Sequence, residues 1–435
     1  NIQNPLFAFH RLTLSVRFAS SSPKGRASGE TNNFARIAKA SPLGRGGSAL
    51  ALTERAGDPN DRSITMKKKL IALLAAVAMV FSLAACGSTP DSVGTIGTVN
   101  ITSGLYLLAQ YDAYQKAADL ASSEQDATDV KAFLKQTITV DADSGETATV
   151  SDYVSQKTME NLETYAAIET RFEELGGQLT AEEEAQADSY ASQLMEQYGD
   201  TYKANGIGLN TVQRFERILI KSTDLLELVY GVDGETPVSD ADLTSHLENN
   251  MYELAYYTIP LYNTSTYASA DDDQITQMLA LTQAAVDQTN AAAAADSSTL
   301  LGYFSGVVTS ALPEVYAVLG STYSSDSNAP SLELIGDSTV TSAFTAEGAA
   351  DTIRGLSIGQ AAAVKYNSYA LMAALRLDPL SLKALDDLRG QVLNDMKGEE
   401  LSEALTAYGA SLEHNLNSSA MNRMPASKIV NSSTN

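Results

Sequence analysis

The chain has 435 residues with 53 Asp and Glu against 29 Lys and Arg, a formal net charge of −24 that repels phosphate backbones and excludes nucleic acid as a partner. Its single cysteine rules out a disulfide within the chain, and three histidines leave few participants for nucleophile–histidine chemistry. No two His or Cys residues stand at ligand spacing, so neither a zinc site nor another cofactor is expected.

Residues 1–65 are rich in Arg and Lys, carry clusters such as Ser20-Ser21-Ser22-Pro23 and Gly44-Arg45-Gly46-Gly47-Ser48, and show no apolar period. They read as a disordered upstream extension. Met66-Lys67-Lys68-Lys69 then precedes an apolar run from Leu70 to Phe81 and the tetrapeptide Leu83-Ala84-Ala85-Cys86, the three-part layout of a secretory signal over 66–85. The run is too short for a permanent membrane span. A cysteine at the cleavage point resembles a bacterial lipobox, with Leu83, Ala84 and Ala85 before Cys86. The resemblance implies cleavage before Cys86, acylation of its thiol, and a lipid anchor on the extracytoplasmic face of the bacterial cell membrane. Residues 86–92 are small and polar, a lipidated tether. Losing the basic leader makes the mature chain still more acidic, which keeps the domain off anionic lipid.

Structure is expected from Val93. Val93–Gly104 reads as a short strand or turn ending in Thr102 or Ser103 as a helix cap, with a helix from Leu105 to about Ala121. Thr137–Val140 and Thr147–Val150 flank Asp143-Ser144-Gly145-Glu146 as a hairpin. A helix from Val150 to Leu175 should stop at Gly176-Gly177. Thr180 and Glu183 have capping-box spacing before a helix that places Ala187, Tyr190, Leu194 and Tyr198 on one face and ends at Gly199. Asn210 with Gln213 repeats the cap before a helix carrying Val212, Phe215, Leu219, Leu226 and Val229.

The pattern breaks at Gly231–Pro237, a predicted domain boundary. Ser239 caps a short helix to Asn250, Leu254–Leu261 reads as a strand, and residues 274–290 form a helix with Ile275, Met278, Leu281 and Val286 inward. A loose Ala- and Ser-rich stretch follows. Leu332–Ile335, Ala361–Lys365 and Ala370–Leu375 look like further strands of a small mixed sheet. Asp378-Pro379 should start the last long helix, whose face Leu382, Leu385, Leu388, Val392, Met396, Leu401, Leu405 and Tyr408 needs a large partner. The earlier helices are the expected one.

The order of these parts resembles the secreted peptidyl-prolyl isomerase-like chaperones, the PrsA and SurA group. The similarity is carried by Val99-Asn100-Ile101-Thr102, by Leu179-Thr180-Ala181-Glu182-Glu183 before Glu196-Gln197-Tyr198-Gly199, and by Phe215-Glu216-Arg217 leading to Tyr230. Val238-Ser239-Asp240-Ala241-Asp242-Leu243 and the closing Asn422-Arg423-Met424-Pro425 extend it. The resemblance implies a mostly α fold: a helical chaperone domain from the N-terminal part 93–235 and the C-terminal helix 379–420, a small α+β parvulin-like insertion at 236–378, and a tail at 421–435. Its implied role is to hold unfolded or nascent secreted polypeptides. The parvulin pattern expects a histidine in the first strand and in the last, but Tyr256-Tyr257-Thr258-Ile259 and Tyr369-Ala370-Leu371 stand there. The GG-x-LG segment is also missing, and Gly359 is the remaining match before the penultimate strand. A degenerate insertion without prolyl isomerase activity and without catalytic residues is therefore expected. A solute-binding lipoprotein of an importer and a client-free surface protein are the alternatives, and no pattern sets an oligomeric state.

His246 beside Glu248 and His414 on the last helix read as solvated surface residues. Asp271-Asp272-Asp273 lacks the alternating ligands of a calcium loop. Of the 20 tyrosines, Tyr106, Tyr111, Tyr190, Tyr198 and Tyr202 lie on helices as packing residues or as the lining of an apolar groove for clients.

Overall fold

The computed structural model describes residues 89–122, 125–142, 144–292, 296–324 and 329–431. The signal, the lipobox residues Leu83, Ala84 and Ala85, and Cys86 lie outside them. The described chain is mostly helical with small antiparallel sheets.

It opens with a hairpin, β1 (Ser92–Ile96) and β2 (Val99–Thr102), turning at Gly97 with φ +55°. Thr102 caps α1 (Ser103–Asp119) by accepting from the Leu105 N–H at 3.2 Å. After the short α2 (Val130–Phe133) come β3 (Thr137–Asp141) and β4 (Glu146–Thr149), the expected antiparallel hairpin. Thr149 caps α3 (Val150–Glu174), which ends where Gly176 takes φ +75°. The Thr180–Glu183 capping box is formed in both directions and opens α4 (Ala181–Ala204). That helix runs past Gly199, because continuing it buries Tyr202 at 2% exposure against Tyr111. Burying such a ring outweighs the roughly 1 kcal/mol cost of a helical glycine. Asn210 is not a cap: α5 (Leu209–Tyr230) already includes it, and the Gly208 carbonyl accepts from Thr211 and Val212.

Ser239 caps α6 (Asp240–Asn250), followed by β5 (Met251–Pro260) and α7 (Asp272–Ala291). The stretch read as loose contains a full helix, α8 (Ser297–Ala317). Its Gly, Ser and Thr residues and Pro313 dilute the pattern, but Leu300, Phe304, Val308, Leu312 and Val315 make one buried stripe. Then come β6 (Ser331–Gly336), α9 (Asp337–Ala343), α10 (Ala349–Gly355), β7 (Ala361–Lys365) and β8 (Ala370–Leu377). The four strands lie in the order β6-β5-β8-β7, all antiparallel rather than mixed. Asp378-Pro379 starts only α11 (Pro379–Leu382); the extended Lys383 separates it from α12 (Leu385–Ser411). The break lets Leu382 join the cluster under β8. The chain closes with β9 (His414–Leu416), α13 (Ser418–Met421) and a 3₁₀ turn at Ala426–Lys428.

These elements divide into two compact units: a continuous one, Ser222–Ala404, and a discontinuous one that joins the described residues up to Lys221 to those from Leu405 onward. In the discontinuous unit β9 pairs with β1, Ile96 opposite His414 and Gly94 opposite Leu416, in a sheet ordered β2-β1-β9. The tail beyond it is fastened by Gln110 Nε2 donating to the Met424 carbonyl at 3.2 Å and by Asn205 exchanging two 2.9 Å bonds with Val430. Helices α1 and α3 meet through buried Asn161, which donates to Asp112 at 2.9 Å. Arg214 reaches Glu169, and Arg217 reaches Glu184 and Asp188.

In the continuous unit the sheet is covered on both faces, since successive strand residues point to opposite sides. Ala255, Tyr257, Ile259, Leu371, Ala373 and Leu375 face α7 and α8, with Met278, Val286, Phe304 and Val308. Tyr252, Leu254, Tyr256, Met372 and Ala374 face α9 and α10, with Val340, Phe344 and Ile353. From Leu405 the last helix belongs to the discontinuous unit, where Tyr408 donates to Glu174 at 2.9 Å. Its turns up to Ala404 belong to the continuous unit, where Gln391 Nε2 donates to the Leu334 carbonyl and the Asp395 carboxyl fills the space a side chain at Gly336 would need.

Candidate functional site

None of the expected lipid-attachment residues falls within the described residues, so the folded part supplies its own candidates. His246 is not simply solvated: its Nε2 lies 2.8 Å from Asp395 Oδ2, and its ring is largely covered. His414 approaches Glu163 at 3.5 Å, where burial raises the Glu163 pKa and His414 opposes the rise. Asp271 caps α7 in a capping box with Gln274. Among the described residues, no three His, Cys, Asp or Glu side chains gather as metal ligands.

The tyrosines named from sequence are packing residues in part. Tyr106, Tyr111 and Tyr202 are buried, with Tyr202 edge-on to both Tyr111 and Tyr198, while Tyr190 and Tyr198 are half-buried. Strands β5 and β8 are hydrogen-bonded neighbours, with Tyr256 opposite Ala374 and Tyr257 opposite Ala373. Tyr256 donates to buried Glu333 at 3.1 Å, and burial together with that carboxylate raises its pKa far out of reach of any acid–base role. Arg376 lies 4.7 Å above the Tyr252 ring. This face is sealed under α9 and α10. At its margin Thr345, Ala346, Glu347, Lys365 and Ser368 line an open hollow of about 360 Å³.

A more exposed arrangement lies at the other end of β5. The chain leaves Pro260 and folds back tightly: Asn263 N donates to the Ala268 carbonyl and Tyr267 N to the Asn263 carbonyl, both at 2.8 Å, and Tyr262 bridges to Ser269. The Asn263 side chain accepts from the Ser265 and Thr266 N–H groups and donates to the Leu319 carbonyl at 2.6 Å. Thr264 N donates to Ser321 Oγ. The loop is thus pinned to the end of α8. Tyr267 is held at φ +58°, a left-handed backbone that disfavours a bulky residue, and is 69% exposed. Its ring stacks on Tyr262 with centroids 6.2 Å apart and planes 20° from parallel.

Behind that pair, Tyr316 and Tyr323 meet edge to face at 5.3 Å. The Tyr316 pKa is pushed up to about 12, first by burial and then by the neighbouring Tyr323 and Tyr262 phenols. Tyr257 continues the line inward, its hydroxyl 2.8 Å from Ser305 Oγ. Burial raises its pKa, Ser305 opposes the rise, and Tyr323 adds to it. Five tyrosines therefore run as a ribbon from core to surface.

No family model matches the chain, and no curated protein matches it. The ribbon is legible only from the geometry. It offers flat aromatic faces and hydroxyl rims, which suit contact and stacking.

Proposed function

We propose that the chain is a lipid-anchored extracytoplasmic chaperone of the PrsA and SurA kind, tethered through Cys86 and holding unfolded or nascent secreted polypeptides without isomerising them. In this reading the helical body is built from both ends of the mature chain, and a small α+β parvulin-like insertion stands between them. The observation that carries it is the pairing of β1 with β9, which brings the segment just after the tether and the C-terminal tail into one unit, while Ser222–Ala404 forms another. Tyrosines in place of the two expected histidines, on adjacent strands, favour an insertion that does no chemistry.

The test is aggregation of an unfolded model substrate with and without the full chain, alongside a proline-peptide isomerisation assay. Suppressed aggregation with background isomerisation is the expected result. Isomerisation well above background overturns the inactive insertion. Absence of suppression, with one small molecule raising the melting temperature sharply, overturns the chaperone reading in favour of an importer's binding protein.

A further inference from the structure

The outermost pair of the ribbon, half-buried Tyr262 and exposed Tyr267, stands on a loop that is braced by Asn263 and kept in a strained backbone conformation at Tyr267. Strain of this kind persists where surrounding bonds over-determine it, and it is concentrated at sites that contact ligands. A residue serving only as a loop filler gains nothing from a bulky ring at a left-handed position.

The surroundings say which partner fits. Not one Lys or Arg occurs between Lys221 and Arg354, while Asp and Glu recur throughout. Asp271, Asp272 and Asp273, all exposed, follow directly where the loop ends at Ala270, and exposed Glu314 precedes Tyr316 by two positions on α8. Three cations elsewhere in the unit are engaged: Arg354 by Asp337, Arg389 by Asp240 and Lys397 by Glu400. Aromatic faces attract cations through their quadrupole, and an uncompensated acidic surround concentrates them.

We infer that the Tyr262–Tyr267 platform is a docking surface for Arg- or Lys-bearing segments of an extended polypeptide. Guanidinium or ammonium groups lie over the exposed Tyr267 ring and the open part of Tyr262 while the carboxylates around the loop supply the long-range attraction. The inference builds on the client-holding role by naming which segments the continuous unit takes.

The test measures binding of the full chain to a labelled Gly-Ser peptide bearing arginines, to its glutamate counterpart and to the neutral parent. The arginine peptide should bind most tightly and weaken with salt. Each ring removed, by Tyr267→Asn or Tyr262→Leu, should weaken it by roughly twofold to fivefold, and Tyr267→Phe should leave it unchanged, because the ring face and not the hydroxyl makes the contact. Asn tolerates the left-handed backbone, and unchanged melting temperatures separate loss of contact from loss of fold.

Equal binding of the arginine and glutamate peptides overturns the inference, as does arginine-peptide binding that ignores both tyrosine variants. Tyrosine-dependent binding of a soluble neutral oligosaccharide in place of the peptide overturns it in favour of a glycan platform. Loss of aggregation suppression with tyrosine-dependent peptide binding intact removes the holding role alone. The reverse pattern removes the docking surface alone.

Discussion

Single residues in this fold set three measurable effects. Tyr165 is fully buried with its ring 5.4 Å from Phe215, its hydroxyl has no hydrogen-bond partner among the described residues, and burial raises its pKa well above the ordinary value. Tyr165→Phe should therefore leave stability unchanged or raise it by up to about 1 kcal/mol in a denaturant melt. Glu253 is 2% exposed in β5, its Oε2 is unpartnered, and burial raises its pKa, with Lys383 opposing. A carboxyl whose folded pKa is raised favours the native state below its ordinary pKa and loses that contribution as pH rises through the raised value. Glu253→Gln should thus gain roughly 1–3 kcal/mol at neutral pH and flatten the fall in stability on going from acid to neutral. At Tyr267 the backbone itself is the test: Tyr267→Val, β-branched at φ +58°, should be less stable than Tyr267→Asn by about 1 kcal/mol, although both remove the ring.

At the scale of elements, helix starts and the β1–β9 seam carry the specificity. The Thr180–Glu183 capping box satisfies two N–H groups at the start of α4, and Thr180→Ala should cost about 1 kcal/mol by thermal melt. Gly94 has φ +118°, and a Cβ there would strike the Asn415 carbonyl as β9 passes. Gly94→Ala should cost more than about 2 kcal/mol and raise amide exchange in β9, because backbone strain and the blocked approach act together. The same caps and turns were readable in the sequence: Thr102, Thr180 and Ser239 each accept the N–H three residues on, a relation fixed within one turn. Where the reading failed, burial far along the chain prevailed. Gly199 stays helical to deliver Tyr202, and α8 forms despite Pro313 because its stripe closes one face of the sheet.

For the whole molecule, the C-terminal strap is the decisive device. Cutting the chain after Leu412 removes β9 and the bonds from Gln110 to Met424 and between Asn205 and Val430. Exchange of amides in Val93–Ile96 and along α1 should accelerate strongly, while amides in β5, paired on both sides within the continuous unit, should keep their protection. Equal acceleration in β5 would mean that the two units do not hold their structure separately.

Local chemistry determined what the sequence disclosed. The helix caps, the hairpin at Thr137–Thr149 and the strands of the continuous unit all rest on relations spanning a few residues, where sterics and single hydrogen bonds decide. The tertiary structure alone decided which strand closes on β1, where the last helix breaks and docks, and how Tyr262 from the loop after β5 comes near enough to Tyr316 on α8 to raise its pKa. Those partners lie far apart in the chain, and no periodicity links them. Their meeting follows from burying apolar surface throughout each unit at once, a quantity that no short stretch of sequence contains.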